Sequence, residues 1–300
     1  MTKIGAIFPQ TEIGNDTGAI REYAQTTESL GFDFLLAFDH VLGANSASHP
    51  ELTGPYRHTD AFHEPFVLFG YLAAVTDSIE LATGIIILPQ RQTALVAKQA
   101  AVVDVLSNGR LRLGIGVGWN YVEYEALNEN WRNRGARSEE QIDVMRQLWT
   151  NELITYEGKW HKVTDAGILP LPVQRPIPVW LGGASDRTIR RIVNIGDGWI
   201  LTGRPDDRAK GLIETLHTYA NEAGRDTASI GLEGWVSASI GGPDDWAKEA
   251  ADWKALGATH VSLNTMRAGF DTPNDHINAI TQFKEATAGR TRAHRRRTAR

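Results

Sequence analysis

The chain has 300 residues, no cysteine and a net charge of −5. The length suits a single large α/β domain. The missing thiols exclude disulfides, thiolate metal sites and a cysteine nucleophile, and no apolar run approaches the roughly 20 residues of a membrane helix. Six arginines fall in 290–300, so the rest of the chain carries 25 Lys and Arg against 36 Asp and Glu, or −11; such an acidic body is a poor surface for nucleic acid, which needs a basic face.

Strand-like and helix-like segments alternate along the chain. Apolar runs at 4–8 and 33–38 flank a helical pattern over 18–30 that Gly31 stops. A helix over 65–76, an isoleucine-rich strand over 79–88 and a helix over 93–106 follow, the last closed by Ser-Asn-Gly. The stretch GRLRLGIGVGWN, 109–120, contains the fourth strand, 110–117, and a helix over 137–149 follows it. The alternating piece LITYEGKWHKV reads as a hairpin. Strands over 179–181, 198–201, 231–239 and 260–263 then alternate with helices over 186–194, 206–223, 244–256 and 274–286. Continuous apolar strands between helices indicate a parallel sheet buried on both faces. Eight such units, with no linker between them, favour an α/β fold of the closed (β/α)8 TIM-barrel type over an open doubly wound sheet. The expectation is one barrel domain over 1–288, with loop insertions at 42–62, 119–136 and 151–178, and a basic, disordered tail over 289–300. The start, MTKIGAIFPQ, lacks a signal-peptide pattern, so a cytoplasmic protein is expected, with no membrane partner.

In a TIM barrel the chemistry sits at the C-terminal ends of the strands. These ends offer one histidine, His40, beside Asp39, together with three glycine-containing turns. His40 is the candidate acid/base. Asp39 either orients it or caps a turn. Gly182-Gly183-Ala184-Ser185 opens into a helix, and Thr202-Gly203-Arg204 forms a second turn; glycine turns and helix N-termini accommodate phosphate. With aromatic strand ends around them, these turns suit a phosphorylated, flavin-like ring. Trp119, Asn120 and Trp235 are candidate walls of a substrate pocket, and Trp131 is a lid or a loop aromatic. His49, His58 and His63 follow no zinc spacing, so no metal is expected. The spacing G-x-G-x-G at 114–118 departs from the dinucleotide fingerprint G-x-G-x-x-G and falls in the fourth unit rather than the first. A hydrolase using Asp39 and Glu233 as a carboxylate pair is a weaker alternative.

The run ATGIIILPQRQTALVAKQAAVVDVLSNGRLRLGIGVGWNYVEYEAL, with RSEEQIDVMRQLWT, RPIPVWLGGAS and GDGWILTG, resembles the bacterial luciferase-like monooxygenase superfamily. AFDHVLG resembles the branch that uses coenzyme F420, an 8-hydroxy-5-deazaflavin. The resemblance implies a homodimeric barrel that moves a hydride between F420 and a small organic substrate. It places the ring over a bulge at Ile85 and Ile86, where a non-prolyl cis peptide is expected. Phosphate and ribityl contacts fall to Val117, Gly118, Gly182, Gly183, Ala184, Thr202 and Gly203, and His40 and Asp39 lie near the reactive carbon. Some relatives carry a catalytic Glu where this chain has Trp119, which argues for a larger or more apolar substrate. The alternatives are an FMN-dependent monooxygenase supplied by a separate reductase, and a non-catalytic flavin- or deazaflavin-binding protein.

Overall fold

A computed structural model describes residues 2–298, with side chains over 2–288. The strands β1 (Lys3–Ile7), β2 (Phe34–Ala37), β3 (Glu80–Thr83), β4 (Ile86–Ile87), β5 (Leu111–Gly116), β8 (Val179–Gly182), β9 (Gly198–Leu201), β10 (Gly231–Ser237) and β11 (His260–Asn264) form one sheet. Every pairing in it is parallel, and β3 with β4 closes onto β5. β3 and β4 are two pieces of one barrel strand, so eight staves form the (β/α)8 barrel that the alternation indicates. The hairpin β6 (Ile154–Glu157) and β7 (Lys162–Ala166) stands apart as an antiparallel pair.

The helices α1 (Thr17–Ser29), α2 (Pro65–Val75), α3 (Thr93–Leu106), α5 (Arg134–Thr150), α6 (Asp186–Ile195), α7 (Asp207–Glu222), α8 (Pro243–Ala255) and α9 (Pro273–Thr298) form the outer ring. Their starts obey local chemistry: Asp16, Ser185 and Asp206 accept backbone N–H groups from the first turns of α1, α6 and α7. The backbone of α9 runs into the segment expected as a disordered tail, 289–300, whose side chains lie outside the described residues. The insertion 119–136 contains a short helix, α4 (Tyr121–Ala126), capped by Asn120, where only a loop was expected. The core fills the space between sheet and helices, and its largest members satisfy their polar atoms. Trp149 Nε1 donates to Ala97 O at 2.9 Å and Trp199 Nε1 to Gly183 O at 2.7 Å.

The third stave departs from the uninterrupted strand read over 79–88. The ladder stops at Thr83, the Gly84–Ile85 peptide is cis, and pairing resumes at Ile86 opposite Ile115. The bulge therefore centres on Gly84 and Ile85, one residue before the expected 85–86, and Ile86 is fully buried in the core between sheet and helices. Two glycines of GRLRLGIGVGWN make room for the bulge. A Cβ on Gly114 would lie 1.9 Å from Thr83 O, and one on Gly116 would lie 2.4 Å from Ile85 Cδ1.

A buried ionic cluster closes the N-terminal end of the barrel. Arg112 donates to Glu233 Oε2 at 2.7 Å and to Glu80 Oε1 at 2.5 Å, and its guanidinium lies over the rings of Phe34 and Trp180. Glu233 Oε1 accepts from Ser262 Oγ at 2.9 Å and Trp235 Nε1 at 3.1 Å. Burial, reinforced by Arg112, pushes the neighbouring His260 imidazole down to about 3. Glu233 is thus committed to Arg112, and the Asp39–Glu233 hydrolase pair is not assembled.

Candidate active site

The opposite end of the barrel gathers the residues that follow the strands. His40, just past β2, is one-tenth exposed, and its Nδ1 lies 3.1 Å from Glu123 Oε1. Glu123 comes from α4, 83 residues away, and is fully buried. Its Oε1 also takes the backbone N–H groups of Val41 at 3.0 Å and Leu42 at 3.3 Å, while Oε2 takes Gln90 Nε2 at 3.2 Å. An oxygen already accepting two N–H groups acts as an acceptor, so the imidazole proton sits on Nδ1. That tautomer leaves Nε2 as a base, and Nε2 makes no hydrogen bond among the described residues.

Asp39 does not serve His40. Its Oδ1 accepts from Arg91 Nη2 at 2.7 Å, and its Oδ2 from Arg91 Nε at 3.3 Å and Ile87 N at 3.0 Å. Of the two roles open to Asp39, orienting His40 is thereby overturned: the carboxylate pins the resumed third stave and Arg91, and Glu123 takes the orienting place. The signal for Glu123 lay in the sequence Asn-Tyr-Val-Glu at 120–123, a capping pattern that marks a helix start. The structure turns that glutamate toward the His40 loop.

An aromatic wall surrounds the imidazole. The rings of Phe62, Tyr56 and Trp119 lie 4.9, 5.1 and 5.6 Å from it between centroids. Burial, only partly offset by Arg267, pushes the Tyr56 hydroxyl up to about 12, so it stays protonated at neutral pH. Trp119 lies flat enough on the insertion 42–62 that a Cβ on Gly54 would meet its ring at 2.0 Å. Trp235 stacks on Phe38 at 5.1 Å. His40, Tyr56, Phe62, His58 and Asn120 help line a cavity of about 360 Å³. Of the loop histidines, His58 therefore reaches this pocket, whereas His49 contacts Tyr121. Gln10 ties both ends of the insertion to the first stave: its Oε1 accepts from Phe38 N at 2.5 Å and its Nε2 donates to His63 O at 3.1 Å.

The glycine turns stand on neighbouring staves. Gly183 after β8 and Gly203 after β9 have φ of +118° and +119°, conformations that side chains disfavour. Gly182 leaves just enough space for Ile85, whose Cγ2 would lie 3.0 Å from an added Cβ. Val117 holds the hydroxyl of Tyr124 through its carbonyl at 2.7 Å, and Gly118 after it has φ of +66°. Thr202 is exposed and Ala184 half-buried beside these turns. Ile85 thus packs against Gly116 and Gly182 beside the two glycine turns, and His40 follows β2 at the same end of the barrel. Among the described residues, no group of three or more His, Asp or Glu could hold a metal ion, and no helix is long and apolar enough to cross a membrane.

Comparison with known proteins agrees with this architecture. The solved structure of the monooxygenase RslO1 from Streptomyces bottropensis superposes with a TM-score of 0.79 at 18% identity, over 97% of this chain and all of that one. Among curated proteins, the uncharacterized protein Rv0953c of Mycobacterium tuberculosis is 32% identical over 79% of this chain and 84% of its own length. The F420-dependent glucose-6-phosphate dehydrogenase of Segniliparus rotundus is 30% identical over 75% of this chain and 65% of its own length. The family model for luciferase-like monooxygenases matches residues 4–299, and the chain belongs to that family.

Proposed function

We propose that this protein is an oxidoreductase that moves a hydride between coenzyme F420 and a small organic substrate, with His40 handling the accompanying proton. The observation that carries this reading is the His40–Glu123 pair, in which Nδ1 is engaged, Nε2 has no partner among the described residues and the imidazole lines the aromatic cavity. When bound, the deazaflavin supplies the carbon that takes or gives the hydride. The chain does the rest. Ile85 seats the ring, the turns at Gly183 and Gly203 admit its phosphate arm, and Phe62, Tyr56 and Trp119 keep water from the reacting face. His40 Nε2 takes a proton from a substrate hydroxyl during oxidation and returns one during reduction, and Glu123 stabilises the imidazolium in either direction. The family resemblance and the F420-dependent relative support the choice of cofactor. Fluorescence titration of the purified protein with F420 and with FMN tests it. Tight F420 binding, followed by bleaching of the F420 absorbance with a member of a panel of small alcohols, is the expected result. Binding of FMN alone, with oxygen consumption in the presence of a flavin reductase, would move the protein to the monooxygenase side of the family.

A further inference from the structure

A second cavity, of about 500 Å³, opens between the segment 132–139 and one face of α6 along its whole length. Five guanidinium groups line it, from Arg132, Arg134, Arg187, Arg190 and Arg191, against the single carboxylate of Glu139. Glu139 is held by Arg191 at 2.8 Å, and Asp186 is held by Arg190 at 3.2 Å. Three arginines therefore face the cavity without a carboxylate partner. No hydrogen bond or ion pair engages the side chains of Arg132 and Arg187 among the described residues. Arg134 is stacked on Trp131 at 3.5 Å, and its Nε is a buried donor with no acceptor, a state that costs free energy until an acceptor arrives. In a chain whose body carries a net −11, this density of unpaired positive charge in a concavity is a feature to be explained.

Its position supplies the explanation. Val117 and Ser185 line the same cavity. Ser185 closes the glycine turn 182–185, and Val117 precedes Gly118 at the end of β5, so the cavity begins where the phosphate arm of a ring seated on Ile85 arrives. Gly135 keeps the far side open for Arg191, whose Nη2 would lie 3.1 Å from an added Cβ. We infer that this arginine cavity binds a polyanionic extension beyond the cofactor's phosphate, a flexible chain bearing several carboxylates. The inference rests on the cofactor reading above. F420 carries such a chain of γ-linked glutamates after its phosphate, and FMN ends at its phosphate. The cavity is thus a specificity device, one that rewards the longer cofactor through several charge-assisted contacts and remains idle with the shorter one.

The test uses three ligands on the intact protein, F420 with its full glutamate tail, F420 trimmed of its glutamates, and FMN, each titrated by fluorescence at low and moderate salt. The wild type is expected to bind tailed F420 at least tenfold more tightly than trimmed F420, with the advantage shrinking as salt is raised. Arg132→Ala/Arg187→Ala removes two exposed, unpartnered side chains, so the thermal transition is expected to hold while the advantage falls severalfold. Arg132→Glu/Arg187→Glu is expected to abolish it, with trimmed F420 binding unchanged. Equal affinity of the wild type for both forms overturns the inference and leaves the cofactor reading standing. So does an equal loss for both forms in the variants. Binding of FMN but of neither form of F420 overturns both.

Discussion

The two ends of the barrel both bury charge, and they do so to opposite purposes. At the N-terminal end each carboxylate oxygen of Glu233 has a partner, and Arg112 is sandwiched between two aromatic rings. At the C-terminal end one nitrogen of His40 is fixed by a buried carboxylate, the other has no partner among the described residues, and the residue lines a cavity. Arg112 Nη2 is itself left without a partner, but it is buried between the rings of Phe34 and Trp180, whereas His40 lines an open cavity. The difference teaches where to look for chemistry in a barrel with polar groups at both ends: at the unengaged group that lines a cavity, not at the greatest concentration of charge.

The sharpest way to break this contrast is to disable each end in turn. His40→Ala should lower hydride-transfer turnover about 10²–10⁴-fold while the thermal transition moves by no more than a few degrees; retention of turnover would remove His40 from the mechanism. Arg112→Ala should do the reverse. It strands Glu233 and Glu80 in a closed space, at a cost of about 3–5 kcal/mol, and the melting temperature should fall by roughly 5–10 °C, while turnover per folded molecule persists. If stability is unchanged, the floor is not the structural element described here.

pH sharpens the contrast further. The folded state keeps His260 neutral down to about 3, whereas the unfolded chain takes up a proton below about 6.5. This group's contribution to stability is therefore complete above pH 6.5. It is lost at about 1.4 kcal/mol per pH unit as the pH falls toward 3. Burial also pushes His276 down to about 4, so chemical denaturation at pH 7, 6, 5 and 4 should show a slope steeper than that of one group, and His260→Asn should remove about 1.4 kcal/mol per pH unit from it; an unchanged slope in the variant would place the acid sensitivity elsewhere. The smallest effect belongs to the glycine turn. Gly203→Ala has open space for its methyl group but must adopt φ near +119°, at about 1–2 kcal/mol. If the turn flexes to relieve that strain, affinity for F420 should drop about tenfold in titration; unaltered affinity would show that the turn does not touch the phosphate arm.

The barrel was legible because strands buried on both faces must be continuously apolar, and each such run in this chain is bounded by glycine, proline or a cap. The helix over 93–106 is found at the residues its pattern marks, Thr93–Leu106. The residues alone did not show the break in the third stave, because Gly-Ile-Ile-Ile reads as unbroken strand and its interruption depends on what packs behind it, Gly114 and Gly116 from the next stave; the family resemblance placed it, one residue late. His40 and the glycine turns could be singled out from their place at strand ends. Its orienting partner could not. Asp39 is its neighbour in the chain, but Asp39 is drawn off by Arg91, and Glu123 arrives from an insertion through a contact that only the closed barrel creates. The arginine cavity escaped for the same reason, since its charges come from two distant stretches of the chain, 132–139 and 187–191.

Gln10 makes the 42–62 excursion of this chain separable from the barrel. One amide anchors the chain on either side of the 42–62 excursion, at Phe38 and at His63, so the two roots of that loop are fixed independently of what lies between them. The entropy of closing such a loop grows only logarithmically with its length. Segments of different length and composition can therefore be exchanged between the same two roots with the barrel undisturbed. In this chain the exchangeable segment supplies Tyr56, His58 and Phe62, three walls of the pocket, which makes Gln10 the clasp of a cassette in which substrate range can change while the His40–Glu123 pair remains in place.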